Sequence, residues 1–132
     1  MKICFSGSIK RKEKEKIKKI LQQYNPQVDI IIHGASPKGG IDNEVDMVAK
    51  EMGFTVKKFP PEKPTTEYFL KRNIKMAEYS DILHAFPRSN ITGEKAIKGI
   101  VTRGGTEHTI RQFVKRNKLV YVYLPNGKEI RK

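Results

Sequence analysis

The chain has 132 residues, with 27 Lys and Arg against 14 Asp and Glu and a formal net charge of +13. That length suits one α/β domain with a proper core and is too short for two comfortable ones. No stretch approaches the roughly 18 to 20 apolar residues of a membrane helix, and the N-terminus lacks the apolar block of a signal peptide, so a cytoplasmic protein with no membrane partner is expected.

Lys2 to Ser6 reads as a strand, and its apolar run Ile3-Cys4-Phe5 holds the single cysteine, which can form neither an internal disulfide nor a metal cluster. Ile17, Ile20, Leu21 and Tyr24 recur at three- and four-residue spacing and predict a helix from about Lys10 to Tyr24, ended by Asn25-Pro26. Val28 to His33 carries Ile30-Ile31-Ile32, apolar on both faces as in a central parallel strand. Val45, Val48, Ala49 and Met52 mark a helix closed by Gly53, and Phe54 to Phe59 is a third strand. Pro60-Pro61-Glu62-Lys63-Pro64 is a connector, after which Thr65 or Thr66 caps a helix running to about Tyr79. Asp81 to Phe86 is strand four. Pro87 to Gly105 shows no clear periodicity and reads as a long functional or mobile loop. Thr106 to Arg116 is a helix, Leu119 to Leu124 a strand, and Pro125-Asn126-Gly127 a turn from which Lys128 to Arg131 folds back as a short edge strand or frays.

Strands and helices thus alternate, which predicts an open Rossmann-like three-layer sandwich around a five-stranded parallel sheet of order 3-2-1-4-5. In such sheets the ligand lies beyond the C-terminal strand ends where the order reverses, here between strands one and four. Three glycine-marked turns converge on that point: Ser6-Gly7-Ser8, the run from His33 and Gly34 through Lys38, Gly39 and Gly40 to Asp42, and Gly104-Gly105-Thr106. Glycine lets a ligand approach the main chain, and a helix N-terminus offers unpaired N–H groups and a positive dipole end, so together the turns read as a cradle for phosphate. In the third, Thr106 is expected to cap the helix while the N–H groups face an anion.

The first turn lacks the remaining glycines of the dinucleotide fingerprint, and the second has Gly40 and Ile41 where a Walker loop carries lysine and a hydroxyl. A dehydrogenase and an ATPase are therefore disfavoured. His33, His84 and His108 show no zinc-site spacing, so no metal is expected. Ser8, Asp42 and His108 lack the nucleophile elbow of a hydrolase triad. The basic run Lys10 to Lys19 has acids at helical spacing and reads as a solvated helix face, although the net charge makes nucleic acid a plausible partner.

The ordered series Phe5-Ser6-Gly7-Ser8, His33-Gly34-Ala35 with Lys38-Gly39-Gly40 and Asp42, Ala49-Lys50-Glu51-Met52-Gly53, Arg72-Asn73-Ile74-Lys75-Met76-Ala77, Ser80-Asp81 and Gly104-Gly105-Thr106-Glu107-His108-Thr109 resembles the SLOG superfamily. These are small Rossmann-like domains related to the LOG phosphoribohydrolases and to the DNA-processing protein A family. The resemblance covers nearly the whole chain and implies a bound nucleotide or nucleotide-derived ligand, with phosphate held by the third turn and no cofactor required. LOG enzymes carry PGGxGTxxE, whose glutamate works with an arginine on the ribose. Arg72 matches that arginine, whereas Thr109 stands at the glutamate's place and Glu107 is one helical step away from it. A threonine hydroxyl cannot do a carboxylate's work on a glycosidic bond.

The leading expectation is a nucleotide-binding or sensing module, in which Gly7, Ser8, His33, Gly34, Lys38, Gly39, Gly40, Asp42, Arg72, Asn73, Gly104, Gly105 and Thr106 hold the ligand and the loop from Pro87 closes over the base. A LOG-like enzyme acting on a nucleotide N-glycosidic bond is the alternative, with Arg72 and either Asp42 or Glu44 as catalytic groups. A nucleic-acid binder is a third reading, and a second copy of the chain is a further candidate partner.

Overall fold

The computed structural model describes all 132 residues. Its elements are β1 (Lys2–Gly7), α1 (Lys14–Leu21), β2 (Ile30–His33), α2 (Ile41–Glu51), β3 (Thr55–Lys58), α3 (Thr66–Tyr79), β4 (Ile82–Phe86), α4 (Asn90–Ile97), α5 (Gly105–Lys115), β5 (Leu119–Tyr123) and β6 (Glu129–Arg131). The sheet order is β3-β2-β1-β4-β5-β6. The first five strands are parallel, in the expected order, and β6 returns antiparallel beside β5 after the turn at Pro125-Asn126-Gly127.

Alternation along the strands divides the core in two. Ile3, Phe5, Ile31, Ile82 and Phe86 face α1 and α2, whose Ile17, Ile20, Leu21, Ile41, Val45 and Val48 complete one layer. Cys4, Ile32, Leu83, Ala85, Val120 and Val122 face the other way, onto Met76 and Ala77 of α3, Ala96 and Ile97 of α4, and Ile110 and Phe113 of α5. Burial raises the Cys4 thiol far above its ordinary pKa, so it stays an inert core group. No helix is long and apolar enough to cross a membrane.

Two elements depart from expectation. The first helix begins at Lys14, not Lys10, because Ser8 holds the preceding residues in a turn: its Oγ accepts the Lys10 N–H at 3.1 Å and its carbonyl accepts the Arg11 N–H at 3.3 Å. The stretch from Pro87 to Gly105 is not one loop, since α4 occupies its centre. Ser89 caps α4 by accepting the Thr92 N–H at 3.1 Å. The buried face of α4 is Gly93, Ala96 and Ile97. A Cβ on Gly93 would come within 2.7 Å of both Leu124 and Pro87, so this helix packs by lacking side chains and leaves little apolar periodicity to read.

Candidate functional site

A cavity of about 330 Å³ opens beyond the C-terminal ends of β1 and β4, where the strand order reverses. The ends of β1 and β2, the loop into α2, the middle of α3, Arg88 and the first turn of α5 enclose it. Of the residues singled out in the sequence, Gly7, Ser8, Gly34, Lys38, Asp42, Arg72, Asn73, Gly104, Gly105 and Thr106 line it, and Ser36, Phe69, Met76, Arg88 and Glu107 join them.

The α5 turn brings unpaired backbone donors to the cavity. Gly104 stands at the N-cap with φ 119° and ψ 143°, a conformation closed to most L residues, and α5 starts at Gly105. The N–H groups of Gly105, Thr106 and Glu107 have no protein partner, and the first to find one is His108, which donates to the Gly104 carbonyl at 3.0 Å. Three free donors and the positive end of an 11-residue helix thus meet at the cavity wall. Thr106 is therefore not the cap: it sits one residue inside the helix, and its hydroxyl bonds to nothing in the chain. A Cβ on Gly105 would touch nothing within 4 Å.

Because the helix begins two residues after Arg103, positions 107 and 109 fall opposite to the motif-based expectation. Thr109 is fully buried and donates to the Gly105 carbonyl at 3.0 Å. Glu107 supplies a carboxylate to the cavity lining. It is 1% exposed and accepts the Thr92 hydroxyl at 2.7 Å, which ties α4 to α5. A Cβ on Gly104 would collide with its other oxygen.

Arg72, on α3, reaches across to the carbonyls of Gly34 and Phe59, while its Nε donates to Asn73 Oδ1 at 3.0 Å. Its Nη2 has no partner in the protein. Burial depresses the guanidinium, opposed by the field of Asp42. Asn73 continues the chain of contacts, donating to the Gly105 carbonyl at 3.2 Å, so the arginine and the α5 turn are held in one frame.

The loop into α2 contributes less than its glycines promise. His33 and Gly39 do not line the cavity. The His33 ring accepts the Ala35 N–H on Nδ1 at 2.9 Å, so Nε2 carries the proton and donates to Asp46 at 2.9 Å. It shapes the turn around Ala35, whose φ is 53°, and meets no ligand surface. Gly40 is also off the cavity: its φ is 75°, and a Cβ there would collide with the backbone of Ile9. It lets the first and second loops touch, where the Ile41 N–H donates to the Ser8 carbonyl at 3.4 Å. Asp42 does line the cavity and accepts the Ser36 N–H at 3.1 Å. Burial lifts its carboxyl above the ordinary value, with the Ser36 N–H and Arg72 pulling the other way.

Two further expectations are corrected. Glu44 points to α1, where its carboxylate accepts the Glu13 N–H at 2.7 Å, so neither the α1 N-terminus nor Glu44 belongs to the cavity. Pro87 is buried with its carbonyl accepting Arg11 Nη1 at 2.8 Å, and its neighbour Arg88 is the one that lines the cavity.

A second polar cluster lies on the α1 and α2 face of the sheet, away from the cavity. His84 of β4 stacks between Phe5 and Tyr121 at centroid distances of 5.1 Å each. Its two ring nitrogens lie 2.7 Å from the hydroxyls of Tyr24 and Tyr123. Burial pushes its pKa down to about 3, and burial also pushes Tyr24 up to about 12. A neutral imidazole with one donor and one acceptor nitrogen, each matched to a hydroxyl, is complete as it stands. Set against protein-family models, curated proteins and solved structures, the chain matches none of them.

Proposed function

We propose that this protein binds a nucleotide or nucleotide-derived ligand in the cavity at the C-terminal ends of β1 and β4, in the manner of the SLOG domains its sequence resembles. The observation that carries this reading is the convergence of three unpartnered N–H groups on α5 with the free Nη2 of Arg72. Lys38 and Arg88 line the same space. Phosphate is the ligand group that uses such a set best, because its oxygens accept several charge-assisted bonds at once. The apolar sides of Phe69 and Met76 leave room for a base or sugar beside it.

Thermal-shift measurements with a panel of 5′-mononucleotides, ADP-ribose-like compounds and matched nucleosides test the reading. Phosphorylated members should raise Tm and bare nucleosides do much less. Equal shifts across each matched pair, or none, overturn it.

Glu107 and Asp42 favour a second reading, hydrolysis of a nucleotide N-glycosidic bond, since both carboxylates line the cavity that would hold the ribose. One ionised carboxylate there can stabilise oxocarbenium character or activate water. Release of free base from nucleoside monophosphates, lost in Glu107→Gln with binding retained, is its signature. Binding without any release in the wild-type protein leaves the first reading alone.

A further inference from the structure

Arg72 lines two cavities. The second, of about 470 Å³, opens beside Pro60 and Pro61 and is walled by Lys58, Lys71 and Lys75, with the rings of Phe59 and Tyr68. Four cations and a single carboxylate, Glu62, line it. Its lysines already have carboxylate neighbours: Lys71 lies 3.2 Å from Glu67, Lys75 lies 3.6 Å from Glu62, and Lys58 lies 3.7 Å from Asp46. The pairs of Lys71 and Lys75 are exposed on both sides, and Asp46, the distant partner of Lys58, is already held at 2.9 Å by His33 and Lys50, so all three lysines yield readily to a stronger anion. Nη1 of Arg72 donates to the carbonyls of both Gly34, which lines the first cavity, and Phe59, which lines the second, so this residue stands between them.

We propose that the second cleft is an anion subsite adjoining the first across Arg72, so that the ligand is a nucleotide carrying a further phosphate-linked unit. The inference rests on the nucleotide reading of the first cavity. A mononucleotide fills that cavity and leaves the lysine cleft unused. A linked second unit crosses Arg72, places its phosphate among Lys58, Lys71 and Lys75, and exchanges three screened surface pairs for contacts to one concentrated charge. The two prolines, with φ fixed, hold that wall without an ordering cost.

The test compares calorimetric titrations of a 5′-mononucleotide, a 5′-phosphorylated 3′–5′ dinucleotide, a 5′–5′ pyrophosphate-linked dinucleotide and an eight-nucleotide single strand. At least one linked ligand should bind about tenfold or more tightly than the mononucleotide, and which one does so identifies the source as small molecule or nucleic acid. The Lys71→Ala, Lys75→Ala double variant should lose that gain and keep the mononucleotide affinity. Mononucleotide binding with no gain from any linked ligand overturns this inference and spares the reading of the first cavity. Equal losses for short and linked ligands in the variant also overturn it, and an absence of binding by all four removes both.

Discussion

His84 and Arg72 are both basic side chains drawn into the protein, yet they end in opposite states. Each nitrogen of His84 meets a tyrosine hydroxyl, at 2.7 Å on both sides, and the ring is 2% exposed. Arg72 spends Nε and Nη1 on protein oxygens and leaves Nη2 open, and the cavity it lines also carries three open N–H groups. A buried polar group whose bonds are all made contributes to the fold and has nothing left to offer. One anchored on some atoms and unpaired on others is oriented by the protein for something else. The contrast predicts that changes around Arg72 and α5 act on binding, while changes around His84 act on stability.

The sharpest way to break that contrast is Gly105→Val. A Cβ at this position meets nothing within 4 Å, so the fold should survive, but the new side chain enters the cavity beside the free N–H groups. Nucleotide affinity should fall about a hundredfold or more, about 2.8 kcal/mol, while circular dichroism and Tm stay near wild type. A folded variant that binds as before would show that the α5 turn is not the phosphate site. Gly40→Ala is the matched control: it strains a φ of 75° and strikes the Ile9 backbone, so its main effect should be on Tm.

Arg72→Ala comes next. Losing a charge-assisted contact to phosphate should weaken binding by about 1.5 to 3 kcal/mol. Stability should drop as well, because Gly34 and Phe59 lose the donor that bridges them. Calorimetric titration of the folded variant separates the two effects, and a lowered Tm with unchanged affinity would move Arg72 to the same class as His84.

The fold was legible because its signals are repeated. Ile30-Ile31-Ile32 announces a doubly covered strand, and Ile17, Ile20 and Leu21 the inner face of a helix, and both lie as read. The cavity was harder because its location follows from topology, whereas its lining follows from where each helix begins. The sequence placed Thr106 as a cap and Glu107 out of register; the helix starts at Gly105, which turns Glu107 to the cavity and Thr109 to the core. Glu44 looked free because its partner, the Glu13 N–H, is 31 residues away. The one local signal for α4 is Ser89, an N-cap residue whose Oγ accepts the Thr92 N–H.

His84 tests the other half of the contrast. Its folded-state pKa, pushed down to about 3, lies below the ordinary value of 6.5, so between those values the unfolded chain binds more protons than the folded one. The stability contributed by the neutral ring is therefore fully present above about pH 6.5 and is lost as pH falls, by up to about 1.4 kcal/mol per pH unit. Denaturant titrations between pH 5 and 8 should show this slope in the wild type and a flatter one in His84→Phe. The variant should also lose about 1 to 3 kcal/mol at pH 8, where the Tyr123 hydroxyl is left without a partner. Nucleotide affinity at pH 8 should not change.

The smallest effect should come from the most conspicuous charge. Lys14 and Lys18 lie on the exposed face of α1, whose buried residues are Ile17, Ile20 and Leu21. Neither lines either cavity, and the α1 N-terminus is already covered by Glu44. They act on a ligand only through a field that salt screens over about 8 to 10 Å near physiological ionic strength. Lys14→Glu with Lys18→Glu should leave mononucleotide affinity within about 0.5 kcal/mol at 0.15 M salt, with a modest loss appearing only when salt is lowered. The arginine nearest to them shows why position outweighs charge: Arg11 is fully used, donating to the Pro87 and Tyr123 carbonyls and pairing with Glu13. If the reversed lysines abolish nucleotide binding while Gly105→Val leaves it intact, recognition lies on the basic helix face, and a nucleic acid becomes the ligand to pursue.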